Sequence, residues 1–383
     1  MTSAPARRHR LSLENAALPS HGREHNLSLV LQTLHSGGPM SRADLSRALG
    51  LTRVTVSDLV AELMERTHVI ELGQTGAVRP GKPAMLVDLN RRGLQILGLD
   101  LAEDSILRAA VLDLDGNILA RTERRLTGET GDAVIELVLD MAREAAALAT
   151  APLLGIGVGT PGVVNADGVV LTAPNLGWTD VPLRTLLETE TGLPTLVSND
   201  ADAAVHADYT FGEGGADMIL IKVGRGVGSG LIIGGQRVRG VHSAAGEIGH
   251  VTVGTDGGTR CSCGKDGCLE TWLSVPSLKH SLATAAAAAD PAAASDEVLR
   301  TAGERLAIAL APVVGALDLT DIVLSGPTDL LDGPLLASTE RTLRQRLLPQ
   351  QPPPVSVRLA AAPEDIVLLG TAVLVLWNRL GVA

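Results

Sequence analysis

Residues 246–270 read GEIGHVTVGTDGGTRCSCGKDGCLE. This stretch decides how the body of the chain is read. It holds all three cysteines, Cys261, Cys263 and Cys268, behind one histidine, His250. Thiolates and a neutral imidazole are the ligands zinc prefers, and four of them close a tetrahedral structural site with no open position for water. The spacing therefore points to one structural zinc per chain, held by His250, Cys261, Cys263 and Cys268. A disulfide plus one free thiol is the competing reading, and it is rare in a reducing compartment. Glu247 and Glu270 flank the four ligands. A bound ion would hold these two carboxylates near one another, whereas either one alone reads as a surface charge.

Moving outward, the 383 residues are 45% hydrophobic and only 1% aromatic, so the cores must be built from Leu, Val, Ile and Ala. The net charge of −11 is unevenly spread. Residues 1–90 carry ten Lys/Arg against eight Asp/Glu, and the remainder carries 22 against 35. An acidic body disfavours general affinity for nucleic acid or membrane, while the mildly basic N-terminal piece permits DNA. Arg7-Arg8-His9-Arg10 is not followed by an apolar signal region. The apolar run from Ile366 to Trp377 is too short to span a bilayer. The expectation is a cytoplasmic protein with no membrane partner.

Residues 1–24 read as a flexible basic arm. From His25 a helical face is formed by Leu27, Val30, Leu31 and Leu34. Ser41 caps a second helix, Gly50 turns the chain, and Thr52 caps a third. Strands at 69–72 and 85–89 enclose a Gly-rich tip, which makes residues 25–90 a winged helix-turn-helix. Arg53, Thr55 and Ser57 open its recognition helix, and Arg79 and Lys82 sit at the wing tip. These are the places that meet base edges and phosphates. A winged helix used only for protein contacts is the alternative.

Beyond residue 95 the pattern is α/β. A strand–loop–strand–turn–strand unit recurs, which suggests two lobes with a cleft between them: 95–205 plus 364–383, and 206–363. Residues 283–294 are Ala-rich and read as helix, and Gln350 to Pro354 as a Pro-rich connector. The final helix, 363–380, is expected to pack back on the first lobe. Asn199-Asp200 follows an apolar strand and opens a helix. It reads equally as a cleft floor or as a plain N-cap.

Several motifs now line up in one order. They are Asp100, Gly155-Ile-Gly-Val-Gly-Thr-Pro-Gly162, Ala173-Pro-Asn-Leu-Gly-Trp178, Asn199-Asp200, Gly226-Val-Gly-Ser-Gly230, Gly246-Glu-Ile-Gly-His250 and Cys261-x-Cys-Gly-x-x-Gly-Cys-Leu-Glu270. The chain resembles the ROK family of repressors, open reading frames and kinases over nearly its whole length. The resemblance implies an actin-like, sugar-kinase-type (ribonuclease H-like) α/β body with an N-terminal winged helix-turn-helix. By position it implies sugar contacts at Asn175, Asn199, Asp200, Glu247, His250 and Glu270, with Asp200 at the family's catalytic base.

Three departures speak against phosphoryl transfer. The family's Asp-x-Gly-Gly-Thr loop reads Asp100-Leu-Ala102-Glu103-Asp104 here. Two carboxylates would then face a triphosphate, at roughly 4 kcal/mol per unit charge pair about 4 Å apart in an effective dielectric near 20. Arg225 stands where similar kinases carry Thr, and Leu324-Ser-Gly-Pro327 replaces a Gly-Gly pair. The resemblance thus implies a non-enzymatic, sugar-responsive repressor of carbohydrate genes. Its expected partners are a palindromic DNA operator, a sugar or sugar phosphate effector, and further copies of itself in a homodimer or homotetramer. An ATP-dependent sugar kinase carrying a DNA-binding domain is the alternative.

Overall fold

The computed structural model describes residues 19–74, 85–102, 105–254, 258–348 and 354–382. The basic arm up to residue 18, the wing cations Arg79 and Lys82, Glu103-Asp104 and connector residues 349–353 lie outside them.

The chain opens with α1 (Pro19–Gly37), β1 (Met40–Ser41), α2 (Arg42–Leu49), α3 (Arg53–Glu65), β2 (Val69–Gln74) and β3 (Met85–Leu89). Ser41 accepts from the Asp44 N–H and Thr52 from the Thr55 N–H, so both caps act as their residue types dictate. Gly50 between the helices is left-handed, φ 67°. The small sheet has three strands in the order β1-β3-β2, one more than the expected two-stranded wing.

The body begins with β4 (Gln95–Asp100), β5 (Ile106–Leu112), β6 (Ile118–Arg125), α4 (Asp132–Ala147) and β7 (Leu153–Thr160). It continues through β8 (Val163–Val164), β9 (Val170–Ala173), β10 (Trp178–Val181), α5 (Leu183–Thr191), β11 (Thr195–Asn199) and α6 (Asp200–Phe211). The first large sheet runs β11-β7-β4-β5-β6. Its inner strand β4 is buried along its whole length, while edge strand β6 alternates half-buried and exposed.

The second lobe holds β12 (Met218–Val223), β13 (Val227–Ile233), β14 (Gln236–Arg237), α7 (Glu270–Leu273), α8 (Val275–Ala285) and α9 (Pro291–Leu317). It is completed by β15 (Asp321–Ser325), α10 (Thr328–Leu331), α11 (Pro334–Arg346) and β16 (Ser356–Leu359), and the chain then enters α12 (Ile366–Leu380). Its sheet runs β14-β13-β12-β15-β16. The Ala-rich stretch 283–294 is not one helix. Alanine propensity yields at Asp290, whose side chain caps the Ala293 N–H, with Pro291 behind it as the first residue of α9.

Two helices join the parts. The expected lobe boundary at 205/206 falls inside α6, which packs between the two large sheets with Ala203, Ala204 and Val205 fully buried. At its C-terminal end Asp208 pairs with Arg358 at 2.5 Å, and Arg358 also pairs with Asp321 at 3.0 Å. The terminal helix α12 packs back on β7, β4 and α6. Its Gly370 permits the α6 contact: a Cβ there would lie 1.8 Å from the Ala203 carbonyl oxygen.

The same helix also meets the N-terminal domain. Leu27, Val30, Leu31 and Leu34 of α1 share one apolar core with Leu368, Ala372, Val375, Leu376 and Leu380. Each leucine or valine among them, fully buried, stabilises by about 1.5–3 kcal/mol. Gln32 Nε2 donates to the Gly381 carbonyl at 2.5 Å, and Arg91 donates to the Leu34 and His35 carbonyls at the end of α1. No helix among the described residues is long and apolar enough to cross a membrane.

Candidate functional site

Four donor atoms of His250, Cys261, Cys263 and Cys268 lie within 4.8 Å of one another, and all three cysteines are free thiols. The chain folds them together by short backbone bonds. Cys261 N–H donates to the Lys265 carbonyl at 2.8 Å, and Gly264 N–H to the Cys261 carbonyl at 3.0 Å. Lys265 Nζ reaches back to the His250 carbonyl at 2.6 Å, closing the loop over the histidine. The Cys263–Cys268 sulfurs are 3.6 Å apart, as are Cys261 Sγ and His250 Nδ1. A four-coordinate ion with metal–sulfur bonds near 2.3 Å would hold its sulfurs about 3.8 Å apart. The set therefore fits a tetrahedral metal ion. Burial, with the Cys263 and Cys261 thiols beside it, pushes the Cys268 thiol up to about 12. A cation is what would let such crowded sulfurs ionise together.

The carboxylates gather next to this loop. Glu270 opens α7, and its Oε2 accepts from the Val227 N–H at 3.1 Å. Glu247 is half-buried; burial raises its carboxyl, and the charges of Asp200 and Glu270 act on it in the same direction. Asp200 begins α6 and pairs with Lys222 Nζ at 3.1 Å. Asn199 is the cap of that helix. Its Oδ1 accepts from Ala201 N–H at 2.8 Å and Asp202 N–H at 3.2 Å, and its Nδ2 donates to the Gly162 carbonyl at 2.8 Å. The N-cap reading thus applies to Asn199, and Asp200 beside it is a carboxylate paired with Lys222.

Asn175 sits on a short 3-10 turn and lines a cavity of about 190 Å³ between the lobes, facing Ala102, Thr130, Pro161 and Arg225. Asp100 is buried at the end of β4, its Oδ1 accepting from the Ala102 N–H at 2.9 Å.

Three charged or titratable residues here escaped the sequence reading. Lys222 is a buried lysine in the otherwise apolar strand MILIKV, and that interruption was the signal. Asp202 pairs with Arg237 at 2.5 Å, and burial pushes its carboxyl up to about 6. Nearby His206 is pushed down to about 4, by burial and then by Arg237 and Arg239. Asp202 and His206 looked like ordinary polar positions on a helix.

On the N-terminal domain, Arg53 and Ser57 are exposed on α3. Thr55 is half-buried, its hydroxyl 2.9 Å from that of Thr52, so it supports the cap. Val54, which the sequence reading passed over, is 72% exposed on the same first turn.

The ROK family pattern matches residues 96–377, and that of bacterial regulatory proteins of the crp family matches residues 39–66. A putative xylose repressor from Caldicellulosiruptor sp. (strain Rt8B.4) is 36% identical over 255 residues, 65% of this chain and 63% of its own length. The chain thus spans a little under two thirds of that relative. A glucokinase from Halalkalibacterium halodurans is 32% identical, over 72% of this chain and 92% of its own length. A crystal structure described as a ROK family transcriptional regulator, homolog of the E. coli MLC protein, matches with a TM-score of 0.81 at 25% identity. That match covers 94% of this chain and 98% of the other.

Proposed function

The chain belongs to the ROK family, and we propose that it is a sugar-responsive DNA-binding regulator, a repressor of carbohydrate genes. The observation that carries this reading is the state of Asp200. A helix-turn-helix is joined to a sugar-kinase-type body whose base position is tied to a buried ammonium. Such a carboxylate can accept a hydroxyl hydrogen bond but is poorly placed to take the proton away. The altered phosphate loops point the same way, and a relative is named as a putative xylose repressor.

In this reading Asp200, Glu247, His250 and Glu270 meet the sugar hydroxyls, with Asn175 and Asn199 at the cleft wall. His250, Cys261, Cys263 and Cys268 hold one structural zinc, which keeps the Glu247 and Glu270 segments in register. Arg53 and Ser57 reach the DNA, with Thr55 behind them and the wing cations Arg79 and Lys82 beside them. A two-fold dimer, alone or paired into a tetramer, reads a palindromic operator. A sugar that bridges the lobes favours one domain arrangement, and it shifts the equilibrium only by its differential affinity for the two states.

The test is a thermal-shift screen of mono-, di- and amino-sugars and sugar phosphates, followed by gel shifts on a selected operator with the hit. A stabilising sugar that alters operator affinity is the expected result. The kinase reading is favoured by the retained Asp200 and by the glucokinase relative. It takes over if the protein transfers phosphate from ATP to a hexose and Asp200→Asn abolishes this.

A further inference from the structure

We infer that a second cavity, apart from the sugar cleft, is an oxyanion site that takes inorganic phosphate or the phosphate group of a small ester. This goes beyond the sugar-sensor reading and does not depend on it. The cavity has a volume of about 100 Å³ and lies where the two lobes meet the joining helices. The first lobe supplies the turn after β8 and the strand β11, and the second lobe supplies Arg237 of β14 and Arg239 beyond it. His206 of α6 and Trp377 of α12 complete the wall. This cavity shares no lining residue with the one that Asn175 faces.

Its charges do not balance. Arg184 pairs with Glu188 at 3.1 Å, and Arg237 pairs with Asp202 at 2.5 Å. Arg239 is exposed, and its guanidinium makes no ion pair or hydrogen bond among the described residues. Arg237 gives Nη1 to Ser198 at 2.8 Å and to Asp202, while its Nε and Nη2 donate to no described residue. Burial disfavours the Arg237 charge, Asp202 favours it, and Arg239 again disfavours it. Asp200 and Glu247, which act on Asp202 from outside, do not line the cavity. The lining thus carries one cation more than its carboxylate partners. A bound oxyanion would answer that cation and relieve the repulsion between Arg237 and Arg239. Guanidinium groups are well suited to this, because their N–H forks match oxyanion geometry.

His206 points to the same ligand independently. It is 9% exposed and lines the cavity, yet its imidazole makes no hydrogen bond among the described residues. The Trp377 ring, 6.5 Å away, can donate but not accept. Buried polar groups are nearly always paired, so an imidazole left open on a cavity marks the place of a missing partner. Burial, and then Arg237 and Arg239, hold it neutral at neutral pH, and a neutral imidazole brings one N–H. Arg237, Arg239 and His206 make three donor groups. A phosphate group has three strong acceptor oxygens to meet them, where a carboxylate has two. A ligand here would touch the segment that runs on to Glu247 and the last turns of α12, the helix that packs on α1.

The experiment combines isothermal titration calorimetry with tryptophan fluorescence, on the full chain at constant ionic strength. Inorganic phosphate, glycerol 3-phosphate and acetate are the probes. Trp377 is 45% exposed on the cavity wall and reports on it directly. The wild type should bind one phosphate or glycerol 3-phosphate per chain at least ten-fold more tightly than acetate. The binding should carry a saturable fluorescence change that Trp377→Phe abolishes. Tighter binding of phosphate assigns the free ion, and tighter binding of glycerol 3-phosphate assigns a phosphorylated metabolite. Arg239→Gln, which removes no internal contact, should lower the affinity at least ten-fold, and Arg239→Lys should recover part of it. His206→Leu should also lower it, a loss that diffuse positive charge alone does not predict. The Arg239 arm stands even where His206→Leu does not fold. The inference is overturned if the wild type binds no phosphate in either form, or binds acetate as tightly. Unchanged affinity in Arg239→Gln or in folded His206→Leu overturns it too. So does binding that Arg225→Gln abolishes and Arg239→Gln does not, which would put the anion in the sugar cleft.

Discussion

Gly381→Ala tests whether the N-terminal domain and the sugar body are mechanically joined. Gly381 ends α12 in the left-handed region, φ 67°, where its carbonyl receives Gln32 of α1. An alanine held there costs roughly 1–2 kcal/mol of backbone strain. Its Cβ would also lie 2.5 Å from Ser28 Oγ and 2.7 Å from Ser28 Cβ. Overpacking of this kind costs typically ~1–3 kcal/mol, so the total is about 2–5 kcal/mol. Urea denaturation of the full chain reads that loss. Ser28→Gly removes both clashing atoms, so the double variant should recover the steric share and leave the strain, a coupling of roughly 1–3 kcal/mol between directly touching residues. The functional counterpart is a gel shift with the effector sugar. The single variant should bind the sugar with unchanged affinity yet show a blunted effect on operator binding. If Gly381→Ala stays within about 0.5 kcal/mol of the wild type, or if Ser28→Gly shows no coupling to it, α1 does not bear on α12 in solution and the reasoning fails.

Cys261→Ser should bring zinc content below one per chain by metal analysis and expose the 251–270 loop to proteolysis; a metal-free wild type with intact fold would refute the site. Arg53→Ala should weaken specific operator binding by about 1–3 kcal/mol if the guanidinium reads a base, whereas Thr52→Ala, which removes the cap of α3, should act mainly on stability, by about 1 kcal/mol; equal and purely DNA-directed effects would contradict the geometry. His206→Leu addresses pH. The folded-state value of His206 lies near 4, below its ordinary 6.5, so the unfolded chain binds the proton first and stability present above pH 6.5 is lost as pH falls toward 4. The wild type should thus lose about 3 kcal/mol across that window that the leucine variant keeps. Asp202, raised to about 6, works in the opposite direction but is common to both proteins. Identical pH–stability slopes for the two would show that His206 is not held neutral by burial.

The parts legible from sequence were those in which one local rule settles the conformation. Ser41 and Thr52 are caps with no competing role, Gly50 needs the left-handed region, and the recurring hydrophobics of α1 and α3 have one buried face each. The His/Cys cluster was legible because four donors of the right chemistry lie within one short segment. What escaped turned on competing local signals or on meetings across long separations. Thr55, read as a DNA contact, also shares a hydroxyl contact with Thr52. Alanine propensity across 283–294 favoured one helix, and the Asp290–Pro291 start signal overrode it. Lys222 and Asp200 stand 22 positions apart, and the Arg237–Asp202 pair 35. No periodicity encodes such meetings, although a lysine inside a wholly apolar strand announces that a partner must exist.

The shared core of α1 and α12 also changes where communication between the sites must run. Along the chain, residues 90–94 lead from β3 of the N-terminal domain into β4 of the body. They are not a free tether. Arg91 pairs with Asp88 and with Asp115 of the β5–β6 hairpin while holding the last carbonyls of α1. The shorter physical path starts at Asp200. That residue opens α6, whose far end is fixed to the second sheet by the Asp208–Arg358–Asp321 network. Motion of the second lobe against the first must therefore work against α6. Its backbone meets α12 at Ala203 and Gly370 with no room for a methyl group, so the two helices cannot slide without losing that fit. At its other end α12 carries Leu376, Leu380 and Gly381 against α1. A ligand that changes the angle between the lobes thus presents its effect to the DNA-binding domain through two packed helices. Gly370→Ala, which would force α6 and α12 apart at the centre of that path, should uncouple sugar from DNA while Gly381→Ala uncouples it at the end. Operator release that survives both substitutions in folded protein would place the route elsewhere.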